Sequence, residues 1–355
     1  MHFLRRIAAV AFLLCCLAPA YPLDRVARDP YLGAIVIDDA SGRVLFEDNA
    51  DARGYPASVT KLMTFFVVMD KVHAGQLTLD TPITVSAEAS RTGGSQVYLK
   101  QGEVFTVDEL LYALMIQSAN DAAVALAVHA AGSKEAFVEL MNAKARQLGM
   151  TNTAFQSPHG LPPGKGQQVD LTTPRDLAIL SRELIDHGDI LRYTSVAERS
   201  FREKSGQPFI MRNHNHLLGK LAGCDGLKTG YFSAAGYSLS ATVERNGRRI
   251  IIVVMGSAAS KTRDFKVMEL TEKGFAAVPV GAPVVKTNTS SAPTATAAAT
   301  PAAKPAASVP VAKPAPVAAS APTVKTVKTD KAPEQSSTPT EPMFKVPVLS
   351  PQKKP

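Results

Sequence analysis

The sequence predicts an α+β fold: an antiparallel sheet drawn from both ends of one domain, flanked by helices and interrupted by an inserted helical region. Three observations carry this. Residues 33–38 and 43–47 are short apolar or β-branched runs separated by Asp39-Ala40-Ser41-Gly42, a hairpin signal. Residues 236–244 and 248–256 are apolar-alternating runs joined across Asn246-Gly247, the strongest short hairpin signal there is. Between these two hairpins the apolar residues recur with helical spacing. Strands at both ends and helices between them place the helical region as an insertion into a terminal sheet.

The elements follow in order. Residues 57–71 read as a helix that is apolar nearly all round, at Leu62, Met63, Phe65, Phe66, Val67, Val68 and Met69. A helix without a polar face is buried. Thr106-Val107-Asp108-Glu109 forms a capping box ahead of the apolar run 110–116. That helix breaks at Gln117-Ser118-Ala119-Asn120, and a second apolar helix covers 121–131. Residues 133–148 form another, closed by Gly149. Ser157-Pro158-His159-Gly160-Leu161-Pro162-Pro163-Gly164 can only be a loop. Thr173-Pro174 pairs a capping threonine with a first-turn proline and opens a helix that runs to about His187-Gly188. Residues 261–275 close the domain as an amphipathic helix.

The two ends of the chain are of different character. Arg5-Arg6, the apolar run 7–17 and Ala18-Pro19-Ala20 make a secretory signal peptide with cleavage expected after Ala20, so residues 1–20 are a leader and the protein is exported, periplasmic and not membrane-anchored. Neither Cys15 nor Cys16 is preceded by the small residue of a lipoprotein signal. Cleavage leaves Cys224 alone, which excludes an intramolecular disulfide and makes it a small buried residue in an oxidising compartment. Residues 21–281 form the domain, long enough and apolar enough to fill a core. From residue 282 to 355 the chain holds fourteen of its 25 prolines, no glycine, and Phe344 as its one aromatic. Such a tail reads as disordered and partly polyproline-like, with a reach on the order of 200 Å at ~3.1 Å per residue. It is either a plain spacer or a weak basic contact with an anionic wall polymer or membrane surface. Of the net +8, two charges come from Arg5 and Arg6 and six from the tail, which leaves residues 21–281 close to neutral. The high pI therefore gives no support for nucleic-acid binding.

Three short motifs carry chemistry. Ser58-Val59-Thr60-Lys61 puts a serine and a lysine on one helical face, and a buried lysine kept from its ammonium form can take a serine's proton. Ser118-Ala119-Asn120 sits in the tight break between helices, and Lys228-Thr229-Gly230 precedes the terminal hairpin. Ser-x-x-Lys, Ser-x-Asn and Lys-Thr-Gly, in that order and behind a signal peptide, resemble the penicillin-recognising serine enzymes, the D,D-peptidases and serine β-lactamases. Tyr55-Pro56-Ala57-Ser58 to Thr64, Gln117 to Ala122, Pro158-His159-Gly160-Leu161, Asp225 to Gly230 and Ala235-Gly236-Tyr237 are similar to the D-alanyl-D-alanine carboxypeptidase branch. The likeness spans roughly residues 30 to 278 and implies the β-lactamase/D,D-peptidase-like fold. The Ser-Asp-Asn motif and the Glu-x-x-Leu-Asn loop of class A β-lactamases are both missing.

The resemblance implies roles for individual residues. Ser58 is the nucleophile and Lys61 its base, kept neutral by burial and by the second cation Lys228. Ser118 relays a proton to the leaving amine, and Asn120 holds the substrate's amide and orients Lys61. Lys228, Thr229 and Gly230 lie along the substrate as an added strand. The backbone N–H groups of Ser58 and Tyr231 form an oxyanion hole. Arg263 and Thr229 hold the substrate's free carboxylate, the alternative for Arg263 being a salt bridge on the closing helix. The implied substrates are peptidoglycan stem peptides and the implied covalent inhibitors β-lactams, with no cofactor and no metal. A D,D-endopeptidase, a β-lactamase of this fold or a non-catalytic wall-binding protein are the competing readings. Phe232 stands where many relatives carry a threonine. His159 reads as a loop-packing residue, and His214 and His216 lack the further ligands a metal would need.

Overall fold

The computed structural model describes residues 23–278, except 188 and 203–207. The expected leader and tail lie outside them. The strands that frame the domain are β1 (Gly33–Asp38), β2 (Val44–Asp48), β7 (Cys224–Phe232), β8 (Gly236–Arg245) and β9 (Arg248–Ser257). They join in the order β2-β1-β9-β8-β7, every neighbour antiparallel, so both ends of the domain meet at the β1–β9 ladder. The inserted region holds helices α1 (Lys61–His73), α2 (Ala87–Ser90), α3 (Val107–Ile116), α4 (Asn120–Ala131), α5 (Lys134–Gln147), α6 (Pro174–Asp186) and α7 (Ile190–Thr194). Two small hairpin-like sheets accompany them, β3 (Pro82–Thr84) with β4 (Val104–Thr106) and β5 (Glu198–Phe201) with β6 (Phe209–Arg212). The closing helix α8 (Ser260–Ala277) follows the sheet.

Both faces of the sheet are covered. Ala34, Val36, Leu239, Ala241, Ile250, Ile252 and Val254 pack with Val267 and Leu270 of α8, while Ile35, Ile37, Ile251, Val253 and Met255 pack into the helical region. This corrects the alternating pattern expected for β9. Its run from Ile250 to Met255 is apolar without a break because neither face meets water. Each such side chain contributes about 1.5–3 kcal/mol on burial. Local signals fix the ends of the helices. Thr106 Oγ1 accepts from the Glu109 N–H while Glu109 accepts from the Thr106 N–H, the expected capping box. Ser133 caps α5, and Thr173 caps α6 with Pro174 in its first turn.

One element differs from the expected continuous helix over 57–71. Residues 57–60 form a 3-10 turn, entered through Ala57 at φ +48°, and the α-helix begins only at Lys61. With three residues per turn, positions i and i+3 eclipse, which sets Lys61 directly over Ser58.

Candidate active site

Lys61 is wholly buried, and its Nζ has three neighbours: Ser58 Oγ at 3.0 Å, Asn120 Oδ1 at 2.7 Å and the His159 carbonyl oxygen at 2.7 Å. The last two can only accept. A neutral amine has two N–H groups and one lone pair, so if both hydrogens serve these acceptors the lone pair is left facing the Ser58 hydroxyl. Burial first, and then the charge of Lys228, push Lys61 well below the ordinary lysine range, while Asp170 and Asp121 oppose the fall. Geometry and electrostatics thus agree on a lysine able to accept a proton from Ser58.

Asn120 is held in the orientation this requires. It opens α4, its backbone N–H donates to Ser95 O at 2.8 Å and its Nδ2 donates to Gly93 O at 2.8 Å, which leaves Oδ1 turned to Lys61. Asp121 beside it accepts from the N–H groups of Val97 and Leu99 and so ties the 93–99 loop to the start of α4. Ser118, two residues before Asn120, lies buried in the break between α3 and α4 at φ +59°, an uncommon conformation for a residue with a side chain. Its Oγ carries no hydrogen bond to a described residue.

The Lys228-Thr229-Gly230 stretch lies within β7, paired with Ser240, Leu239 and Ser238 of β8. Gly230 explains its own identity: a Cβ there would stand 2.4 Å from the Pro56 carbonyl oxygen and 3.1 Å from the Val59 nitrogen. Only glycine lets β7 close on the turn that carries Ser58. From the other side, Gly160 at φ +78° would place a Cβ 1.9 Å from the Ala57 carbonyl oxygen, so the 157–160 turn also meets the Ala57-Ser58 segment backbone to backbone. Lys228 is buried, donates to Thr229 O at 3.0 Å, and is pushed down to about 7 by burial and then by Arg263.

Arg263, in the first turn of α8, is 3% exposed. Its Nε and Nη2 donate to Asp264 Oδ1 at 2.9 and 2.6 Å, and its Nη1 points to the carbonyl of Ser238, the register partner of Gly230, at 3.4 Å. The salt bridge weighed as its alternative role is therefore present, on the edge of the same strand pair as Gly230. Tyr231 is half exposed and stacks on Tyr237 with ring centroids 4.1 Å apart. Phe232 stacks on Tyr55, three residues before Ser58, at 5.8 Å. The His159 ring accepts from the Leu161 N–H through Nδ1 and is driven down to about 3 by burial, as a packing residue would be. His214 is driven down to about 4, first by burial and then by Lys228 and Lys61. The Cys224 thiol, at the start of β7, is pushed up by burial.

Sequence reasoning missed two kinds of participant. The His159 and Gly93 carbonyls are backbone atoms, invisible to side-chain spacing, and the buried carboxylates Asp170 and Asp121 lie outside the three motifs or at their margin. The family model for D-alanyl-D-alanine carboxypeptidase matches residues 32–259. Among curated relatives, DacC of Escherichia coli is 39% identical over 285 residues, covering 77% of this chain and 69% of its own. DacF of Bacillus subtilis, also a D-alanyl-D-alanine carboxypeptidase, is 36% identical over 242 residues, covering 68% of this chain and 61% of its own. Penicillin-binding protein D2 of Listeria monocytogenes, solved in an ampicillin-bound form, superposes with a TM-score of 0.62 at 32% identity, covering 69% of this chain and 98% of that one. The chain thus spans about three fifths to two thirds of the length of the two curated relatives.

Proposed function

The chain belongs to the D-alanyl-D-alanine carboxypeptidase family, and from that premise we propose that it is a serine D,D-carboxypeptidase that removes the terminal D-alanine from peptidoglycan pentapeptide stems. The observation that carries this is the buried Lys61 amine, with acceptors for both its hydrogens and Ser58 Oγ at 3.0 Å. As Ser58 Oγ attacks the carbonyl carbon of the penultimate D-alanine, Lys61 takes its proton. The oxyanion that forms is held by the N–H groups of Ser58 and Tyr231, a contribution of ~3 to 4 kcal/mol per donor. Ser118 relays the proton that Lys61 took to the departing amine, the C–N bond breaks, and D-alanine leaves an ester on Ser58 with Lys61 neutral again. Water then hydrolyses that ester, Lys61 taking the water's proton and returning it to Ser58 Oγ as the C–O bond breaks.

Asn120 and β7 hold the stem peptide, and Thr229 and Arg263 take its free carboxylate. The ampicillin-bound relative supports the reading that β-lactams acylate Ser58 here as well. Export through the 1–20 leader would put the enzyme on the wall polymer it trims, in the periplasm, with a role in wall remodelling and cell shape. Among the described residues no helix is long and apolar enough to cross a membrane. The 282–355 tail is proposed as a spacer with weak affinity for anionic surfaces.

Fluorescent penicillin is expected to label the wild-type protein and to leave Ser58→Ala unlabelled. Persistent labelling of that variant would remove Ser58 as the nucleophile. Release of D-alanine from a pentapeptide, set beside cleavage of cross-linked dimers and turnover of penicillin, separates the carboxypeptidase from the endopeptidase and β-lactamase readings.

A further inference from the structure

Asp170 lies outside all three motifs, is 3% exposed, and is fully engaged. Its Oδ1 accepts from the N–H groups of Gln156 and Ser157 at 2.5 and 3.0 Å, and its Oδ2 accepts from Ser157 Oγ at 2.8 Å. Ser157 Oγ in turn accepts from the Gly160 N–H at 2.9 Å. One carboxylate therefore closes both ends of the turn 157–160. The middle of that turn faces the catalytic lysine: Pro158 O accepts from Thr64 Oγ1 at 2.6 Å, and His159 O accepts from Lys61 Nζ at 2.7 Å. Behind the turn is a cavity of about 340 Å³, lined by Asp170, His159 and Gln156 and, from α5, by Lys134 and Glu135. On that side the turn borders this open pocket, so its shape rests on the Asp170 bonds together with those from Thr64 and Lys61 on the other side.

We propose that Asp170 is a positioning residue for the general base: through Ser157 it fixes the turn that presents the His159 carbonyl to Lys61. The inference rests on the Ser58–Lys61 acylation proposed above and adds to it a carboxylate that never touches substrate. Charge acts in the same direction as shape. The ionisable groups facing Lys61 are Lys228 on β7, Asp121 on α4, and Asp170 and His159 beside the turn, with His214 nearby. Lys228 disfavours the ammonium form and the two aspartates favour it. Asp170 is itself pushed up to about 6 by burial, against the hydrogen bonds from Gln156 and Ser157 and then the charge of Lys61, which draw it down. The base is thereby kept from becoming too weak to take a proton.

Two variants of the full-length protein separate position from charge. Asp170→Asn keeps the shape and removes the charge. Its acylation by fluorescent penicillin should be about tenfold slower than wild type, a fraction of what a placed base contributes, with apparent affinity unchanged. The acid limb of its pH–rate profile should move to lower pH, because an ammonium that has lost a negative neighbour gives up its proton more readily. Ser157→Ala removes both hydroxyl bonds, to Asp170 and from Gly160, and keeps the charge, so it should slow acylation without moving the limb. If Asp170→Asn acylates at the wild-type rate, or slows with an unmoved limb and a lowered melting temperature, Asp170 is a structural residue and the inference falls. Failure of the wild type itself to label is a different result, and would sink the acyl-enzyme reading first.

Discussion

Replacing Lys228 by methionine is expected to make the domain more stable and nearly inactive. The side chain is 2% exposed and, among the described residues, makes one hydrogen bond, to Thr229 O. Burial, with Arg263 adding to it, lowers its pKa from 10.5 to about 7. At ~1.36 kcal/mol per pH unit that displacement corresponds to about 5 kcal/mol, and losing the hydrogen bond returns about 1 kcal/mol. Methionine, similar in length and without charge, should gain about 4 kcal/mol below pH 7. The sign of the pH dependence follows from linkage. The unfolded chain binds this proton below pH 10.5 and the folded protein only below about 7, so unfolding takes up a proton between those values. Wild-type stability therefore rises with pH across that window, and the advantage of methionine shrinks until it vanishes somewhat below 10.5, where the remaining charge penalty no longer outweighs the lost hydrogen bond. Urea unfolding of both proteins in steps from pH 6 to 10 measures the difference directly. A gap that does not change with pH, or a variant less stable than wild type at pH 7, would refute the reasoning. Acylation gives a second readout. Without the Lys228 charge Lys61 holds its proton more tightly, so whatever activity remains should have its acid limb at higher pH.

Gly230→Ala would set a methyl group 2.4 Å from the Pro56 carbonyl oxygen and push β7 off the nucleophile's turn. Acylation should fall about 100-fold, the scale of an ångström's misplacement, with little change in circular dichroism; labelling at the wild-type rate would show that the two segments part freely. Arg263→Gln should lose most of the preference for a pentapeptide with a free carboxylate over the same peptide ending in an amide. A charge-assisted bond of about 1.5–3 kcal/mol makes the ratio of kcat/KM values fall roughly 10- to 100-fold, and an unchanged ratio would leave Arg263 as a structural partner of Asp264.

Much of the fold was legible because its signals are local. The Asn246-Gly247 hairpin, the Thr106–Glu109 capping box and the Thr173-Pro174 helix start each depend on a few adjacent residues, and each forms where the sequence puts it. The strands β3 to β6 and helices α2 and α7 are three to five residues long, too short to show a period, and were not anticipated. The 3-10 turn under Ser58 was hidden for another reason. Its entry is a left-handed alanine, where a glycine would have announced the bend. The Ser58–Lys61–Asn120 cluster was legible because its members are side chains in recurring spacings. Asp170 and the His159 carbonyl were not, since what they contribute depends on how a loop of irregular backbone folds back.

The sheet also ends in two different ways. At one end β2 shows water the exposed acids Glu47 and Asp48, charges that discourage a further strand from pairing. At the other end, β7 has no strand beyond it among the described residues, and on the proposed function it would have to admit a peptide there, which leaves no room for the same surface charge. An open strand edge is an invitation to any extended chain, including one from a neighbouring copy. Here the nucleophile's turn lies across the strand at Gly230, and a desolvated amine occupies the position two residues before it. The opening that remains suits one short segment rather than a growing ladder. On the proposed function the same few residues would govern both what reaches the nucleophile and what can pair with the edge, and a change that widened this edge for larger substrates should also favour self-association.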